Sequence, residues 1–307
     1  MIMNALSAAL LTLLLADPAT PATKPGEKTF DTAQQAADAL VQAVAKDDTA
    51  ALNEIFGSSG QKIVSSGDDV EDKNNRARFT ELAKTKTDVV VDKKNAHRAI
   101  LSLGGDGWPF PVPIVQTGAK WHFDSKSGLR EILYRRVGQN ELDAIQICLG
   151  YVEAQQEYAS QAREIAGFHM YAQKILSTPG KKDGLAWYDA DGKPAGPIGE
   201  QVAKALEEGY KDRTKPYHGY FFKVLMAQGP AAPPGARDYV LQGKMIGGFA
   251  LVAWPAEYRA SGVKTFIVNN DGIVYEKDLG ANTGKVAAAM KAYNPDKSWS
   301  KVPESAE

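Results

Sequence analysis

His122 and Asp124 are the residues best spaced for chemistry. They alternate with Trp121 and Phe123 in Trp121-His-Phe-Asp124, so on a strand both side chains share one face. With His97, they could do acid–base work inside an apolar pocket. Trp108-Pro-Phe-Pro-Val-Pro113 would form its rim: alternating prolines cannot donate to a ladder, so this stretch is an extended edge that shapes a pocket mouth or a contact surface, or simply leads into the next strand. His97, Trp108, His122 and Asp124 are therefore the candidate pocket residues. The plainer arrangement is favoured: Trp121 and Phe123 in the core, His122 and Asp124 on a solvated face.

Asp189-Ala-Asp191-Gly192 has part of the rhythm of a calcium loop but lacks the late glutamate, and a plain Asp-Gly turn is the better reading. Asp189 and Asp191 stay as candidate calcium ligands. Ser65-Ser66-Gly67-Asp68-Asp69 lacks the strand–turn–helix setting of a nucleophile elbow and reads as a surface turn. The histidines, at 97, 122, 169 and 218, include no i, i+4 pair, and there is no HExxH. The one cysteine, Cys148, allows no intramolecular disulfide and lies on the apolar stripe of a helix, as a small core residue does. No catalytic residue, metal or cofactor is assigned.

The 307-residue chain has a formal net charge of -1, so it lacks the basic footprint of a nucleic-acid binder. Ala5–Ala16 is apolar and uncharged, too short to span a bilayer and of the length of a signal-peptide core. Ala19-Thr20-Pro21-Ala22 supplies small residues for cleavage, although no Lys or Arg precedes the run. Residues 1–22 read as a signal peptide and 23–29 as a linker. The mature chain is expected to be periplasmic or secreted, without a stable membrane span.

Two α+β domains are expected. Residues 30–137 begin with Thr32-Ala-Gln-Gln35, similar to a capping box, which opens a helix to about Lys46 with Ala33, Ala36, Ala37, Leu40, Val41 and Val44 at helical spacing. Helices over Ala50–Phe56 and Asn75–Lys84 follow, then strands Thr87–Val91, Ala96–Leu103, Pro111–Val115, Lys120–Phe123 and Leu129–Tyr134. Residues 138–303 open with a long helix, capped by Asn140 and running to about Leu176. A turn-rich loop insertion at 177–216 follows, with a short helix over Ile198–Gly209. The β-type runs Tyr220–Met226, Gly248–Trp254, Lys264–Val268 and Ile273–Tyr275 make an antiparallel sheet, with Asn269-Asn-Asp-Gly272 as a tight turn.

The order of helices and strands in the first half resembles the cystatin-like and NTF2-like half-cone fold, a helix in the mouth of a curved antiparallel sheet. Asn140-Glu-Leu-Asp-Ala-Ile145, Ala154-Gln-Gln-Glu-Tyr158 and Gly219-Tyr-Phe-Phe222 are similar to the helix and sheet of type IV pilin and pseudopilin heads. A pilin's charged, apolar stem is not where it should be, so shared fold rather than shared assembly is implied. Across Phe30–Trp299 the chain resembles a bacterial exported family of unknown function, DUF2950. The phrases that carry this are Ser66-Gly-Asp68, Trp108-Pro-Phe-Pro-Val-Pro113, Trp121-His-Phe-Asp124, Arg135-Arg-Val-Gly-Gln-Asn-Glu141, Tyr217-His-Gly-Tyr220, Gly248-Phe-Ala-Leu-Val-Ala-Trp-Pro255 and Lys277-Asp-Leu-Gly280. The expected role is that of a non-enzymatic envelope protein binding another envelope protein or polymer. The alternatives are a small-molecule binder or acid–base enzyme using the half-cone pocket, and an accessory component of a pilus or type II secretion-like system.

Overall fold

The computed structural model describes residues 27–65, 69–161, 164–165, 167–200 and 215–303. The segment expected to be a signal peptide, Ser66-Gly67-Asp68 and most of the helix expected over Ile198–Gly209 lie outside the described residues. The fold is α+β, and the chain divides into two compact units, Met1–Ile132 and Leu133–Glu307.

In the first unit, Thr32 accepts a bond from the Gln35 amide at 3.1 Å and caps helix α1, Ala33–Ala45. The Gln35 side chain reaches back to accept the Asp31 amide, one residue before the Thr32 amide that a capping box would bond. Asp48 caps α2, Thr49–Phe56. Short α3, Gln61–Val64, and α4, Asp69–Thr85, complete the helices. Strands β1 (Thr87–Asp92), β2 (Asn95–Leu103), β4 (Ile114–Thr117) and β5 (Lys120–Phe123) form an antiparallel sheet in that order, with β3 (Trp108–Pro109) on β2. Period-2 alternation buries Ala99, Leu101 and Leu103 of β2. Register sets Ala99 opposite Ile114 and Ile114 opposite Phe123, all three fully buried. Helix α1 buries Ala33, Ala36, Ala37, Leu40, Ala43 and Val44 between the sheet, where it meets β1, β4 and β5, and helices α2 and α4. Four of these six residues are alanines, which let the helix sit close to its neighbours.

The next element differs from expectation. Leu129–Tyr134 is not a strand, and Asn140 is not a cap: both lie within one helix, α5, Ser125–Ser160. Its true cap is Asp124, which accepts from the Ser127 amide at 3.0 Å and the Ser127 hydroxyl at 2.6 Å. Leu129, Ile132 and Leu133 stand at i, i+3 and i+4, which is helical spacing, and the Asp124 cap starts the helix just upstream. The helix stops at Ser160 instead of near Leu176, and a short hairpin turns through Gly167 at φ +81°.

The second unit is built on an antiparallel sheet in the order Tyr220–Leu225, Ala250–Pro255, Lys264–Asn269, Tyr275–Asp278, Ser300–Lys301. The second and third strands are buried on both faces, which is why their sequences read as almost unbroken apolar runs. Cys148, Tyr151 and Val152 of α5 join their core, and α6, Thr283–Ala289, also packs on Ala250–Pro255. The Lys223 ammonium donates to the Ala288 and Met290 carbonyls at 2.5 Å each and closes the C-terminus of α6.

Candidate functional site

A cleft of about 130 Å³ lies among the helices of the first unit. Regular spacing builds its walls. Helix α1 gives Leu40 and Val44, α2 gives Leu52 and Phe56, and α3 gives Ile63 and Val64. The prolines around Phe110 hold it in an extended loop from which its ring closes one side. Phe110 is the hub of an aromatic cluster, 6.4 Å from Phe56, 5.5 Å from Phe79 and 6.3 Å from Trp108 between ring centroids.

The polar end comes from α4. Asp72, Asn75, Arg76 and Phe79 follow at i, i+3, i+4 and i+7 and so share one face. Asp72 is buried at 9% exposure. Arg76 Nε stands 2.6 Å from Asp47 Oδ1, a close ion pair in which the N–H misses the line of a hydrogen bond. Its Nη1 donates weakly to the Val64 carbonyl at 3.4 Å. Asp47 is held at φ +53°, a left-handed position just past α1. Apolar walls with a few polar groups at one end are the usual form of a small-molecule site.

None of His97, Trp108, His122 and Asp124 lines this cleft. His97 is exposed, with Nδ1 2.8 Å from Gln116 Oε1. Trp108 is partly exposed beside Phe110. His122 Nε2 is 3.1 Å from Thr117 Oγ1, and its Nδ1 is 3.6 Å from Glu27 Oε2, an ion-pair distance just past hydrogen-bond reach. The Glu27 carboxylate at its ring holds the imidazole above its ordinary pKa, against burial, which pushes the other way. Burial also works against an ionised Asp124, but the two Ser127 bonds and the charges of Arg130 and His122 outweigh it and keep its carboxyl below the usual range. Phe123 is fully buried, Trp121 packs against the core, and Asp124 serves as the cap of α5.

Asp189 turns its Oδ1 back onto the Asp191 and Lys193 amides, at 2.9 and 2.8 Å. Asp189 and Asp191 are thus part of the turn between Trp187–Tyr188 and Pro194–Ala195. Among the described residues no group of three or more His, Cys, Asp or Glu side chains could hold a metal ion. Cys148 is fully buried, and its thiol is pushed up to about 12 by desolvation.

Sequence phrases far apart in the second unit come together as an anchor of α5 on the sheet. Asn140 donates to the Ser261 carbonyl at 2.8 Å, and Glu141 accepts the Val263 and Lys264 amides at 2.8 and 3.0 Å. His218 Nδ1 meets Asp143 Oδ2 at 2.6 Å. Gly219, at φ +73°, must be glycine here, because a Cβ would stand 2.5 Å from the Asn140 amide nitrogen.

Sequence reasoning missed Asp47, Asp72, Asn75 and Arg76. The signal was the polar row on α4 one turn before Phe79, which an apolar-stripe reading passes over. Among the described residues, no helix is long and apolar enough to cross a membrane.

No curated protein and no solved structure matches the chain, so the cystatin-like and pilin-like likenesses rest on residue phrases alone. One family model, described as "Protein of unknown function (DUF2950)", matches residues 27–302. The chain belongs to the DUF2950 family.

Proposed function

We propose that this chain is an exported, non-enzymatic binding protein of the bacterial envelope, and that the cleft of its first unit is where it binds. The observation that carries the reading is the cleft itself: aliphatic and phenyl walls, with Asp72, Asn75 and Arg76 gathered at one end. The side chains with acid–base potential are used elsewhere. Asp124 caps a helix, Asp189 folds a turn, and His122 faces Glu27. This favours a small-molecule binder over an acid–base enzyme.

Binding is tested with the purified chain and a neutral one-ring probe, benzyl alcohol, followed by ligand-observed NMR. Saturation of the signal at millimolar probe supports the reading. Export is tested by fractionating cells and sequencing the N-terminus of the extracytoplasmic protein. The leader reading requires a start at Thr23, directly after Ala22. An intact Met1 in the cytoplasmic fraction contradicts it.

A further inference from the structure

We infer that the cleft selects an uncharged ligand: a neutral molecule of about one ring, with its polar group at the Asn75 end. This rests on the binding reading above and adds the chemical class of the ligand. Size comes first. A cavity of about 130 Å³ is close to the roughly 150 Å³ that accommodates one benzene, so the body of the ligand is about one ring.

Charge comes second, and it turns on what the charged side chains already hold. Asp47 answers Arg76 at 2.6 Å, and the Val64 carbonyl accepts a further N–H of that guanidinium. An anionic ligand would have to compete with Asp47 for Arg76. Asp72 is buried and likewise engaged in an interaction of its own. A cationic ligand would have to draw one of the two carboxylates away from its partner.

The walls set the cost. Leu40, Leu52, Phe56, Phe79 and Phe110 line the cleft, and none of these side chains carries a hydrogen-bonding group to replace the water that an ion sheds on entry. Phenyl faces attract a cation, but that attraction is smaller than the cost of stripping water from an ammonium. A hydroxyl or amide loses far less. Asn75 lines the same end, and its side-chain amide can both donate to such a group and accept from it.

The test titrates the full chain with three one-ring probes that differ in charge, benzyl alcohol, benzylamine and benzoate, by the same NMR measurement at low salt and neutral pH. Benzyl alcohol should bind tightest, by about tenfold or more over each ion. Asp47→Asn then takes the partner from Arg76, at a left-handed backbone position, φ +53°, that asparagine tolerates. That variant should bind benzoate about tenfold more tightly than wild type does, with benzyl alcohol unchanged. Should it not fold, the wild-type order alone decides. Benzylamine or benzoate binding to wild type as tightly as the alcohol overturns the inference while the binding reading stands. So does a folded Asp47→Asn protein whose benzoate affinity is unchanged. Absence of binding by all three probes overturns both.

Discussion

Gln155 of helix α5 holds both main-chain polar groups of Ala172. Its Nε2 donates to the Ala172 carbonyl and its Oε1 accepts the Ala172 amide, each at 2.8 Å. The same Nε2 also donates to the Tyr151 hydroxyl at 2.9 Å, and Gln155 is fully buried. One side chain thus replaces a missing piece of ladder for the chain that returns after Ser160. Gln155→Leu keeps the volume and strands those groups. It should cost about 2–4 kcal/mol in urea unfolding, since each buried orphan costs about 1–3 kcal/mol. A loss below about 0.5 kcal/mol would show that water takes over the bonds.

Asp124→Ala should cost about 1 kcal/mol at neutral pH through loss of the α5 cap. The folded carboxyl lies below its ordinary 3.8, so its contribution is full above that value and disappears as pH falls through the folded value. The stability gap between wild type and variant, measured by denaturant titration, should be constant from pH 7 to 5 and close in strong acid. A gap that widens on acidification contradicts the capping role.

Glu27→Gln probes the opposite sign. His122 is raised above its ordinary 6.5 by Glu27, so the pair stabilises fully below that pH and fades as pH rises through the folded value. The difference in melting temperature between wild type and variant should be larger at pH 5.5 than at pH 8.5. The side chains are 15% and 10% exposed, and the gap at low pH should reach about 0.5–1 kcal/mol. Equal gaps at both pH values would remove His122 as the partner.

Cys148 should be silent to a thiol-specific reagent in the folded protein. It is fully buried, with its thiol raised to about 12, so neither access nor thiolate is provided. Labelling should follow global unfolding in denaturant. Fast labelling in buffer would mean that α5 opens locally.

Several of these features could be read in the sequence because their cause is local. The α1 cap, with Thr32 and Gln35, follows from adjacent residues, and so does the Lys120–Phe123 strand with Phe123 inward. The Asn269–Gly272 turn is closed by a bond from the Gly272 amide to the Asn269 carbonyl at 3.0 Å, with Gly272 at φ +74°. Leu129–Tyr134 is too short a run to fix its own type, and the helix is set by Asp124 and Ser127 just upstream. The return of the chain after α5 is held by Gln155 meeting Ala172, a contact between distant residues that helix propensity does not encode. The cleft was least legible. Its aliphatic walls look like any core, and its polar end joins Asp47 to Arg76 on a helix that begins more than twenty residues later. Phe110 was the exception, since its flanking prolines marked an extended rim.

The central claim is that the first unit binds a small molecule in this cleft, and Ile63→Trp tests it most directly. Ile63 lines the cleft and is only partly buried, so an indole there fills the space with little demand on the core. The account predicts that benzyl alcohol gives saturable NMR binding to wild type, and that Ile63→Trp weakens it at least about tenfold with the melting temperature preserved. Unchanged binding by a folded Ile63→Trp protein, or no saturable binding by wild type, would contradict it.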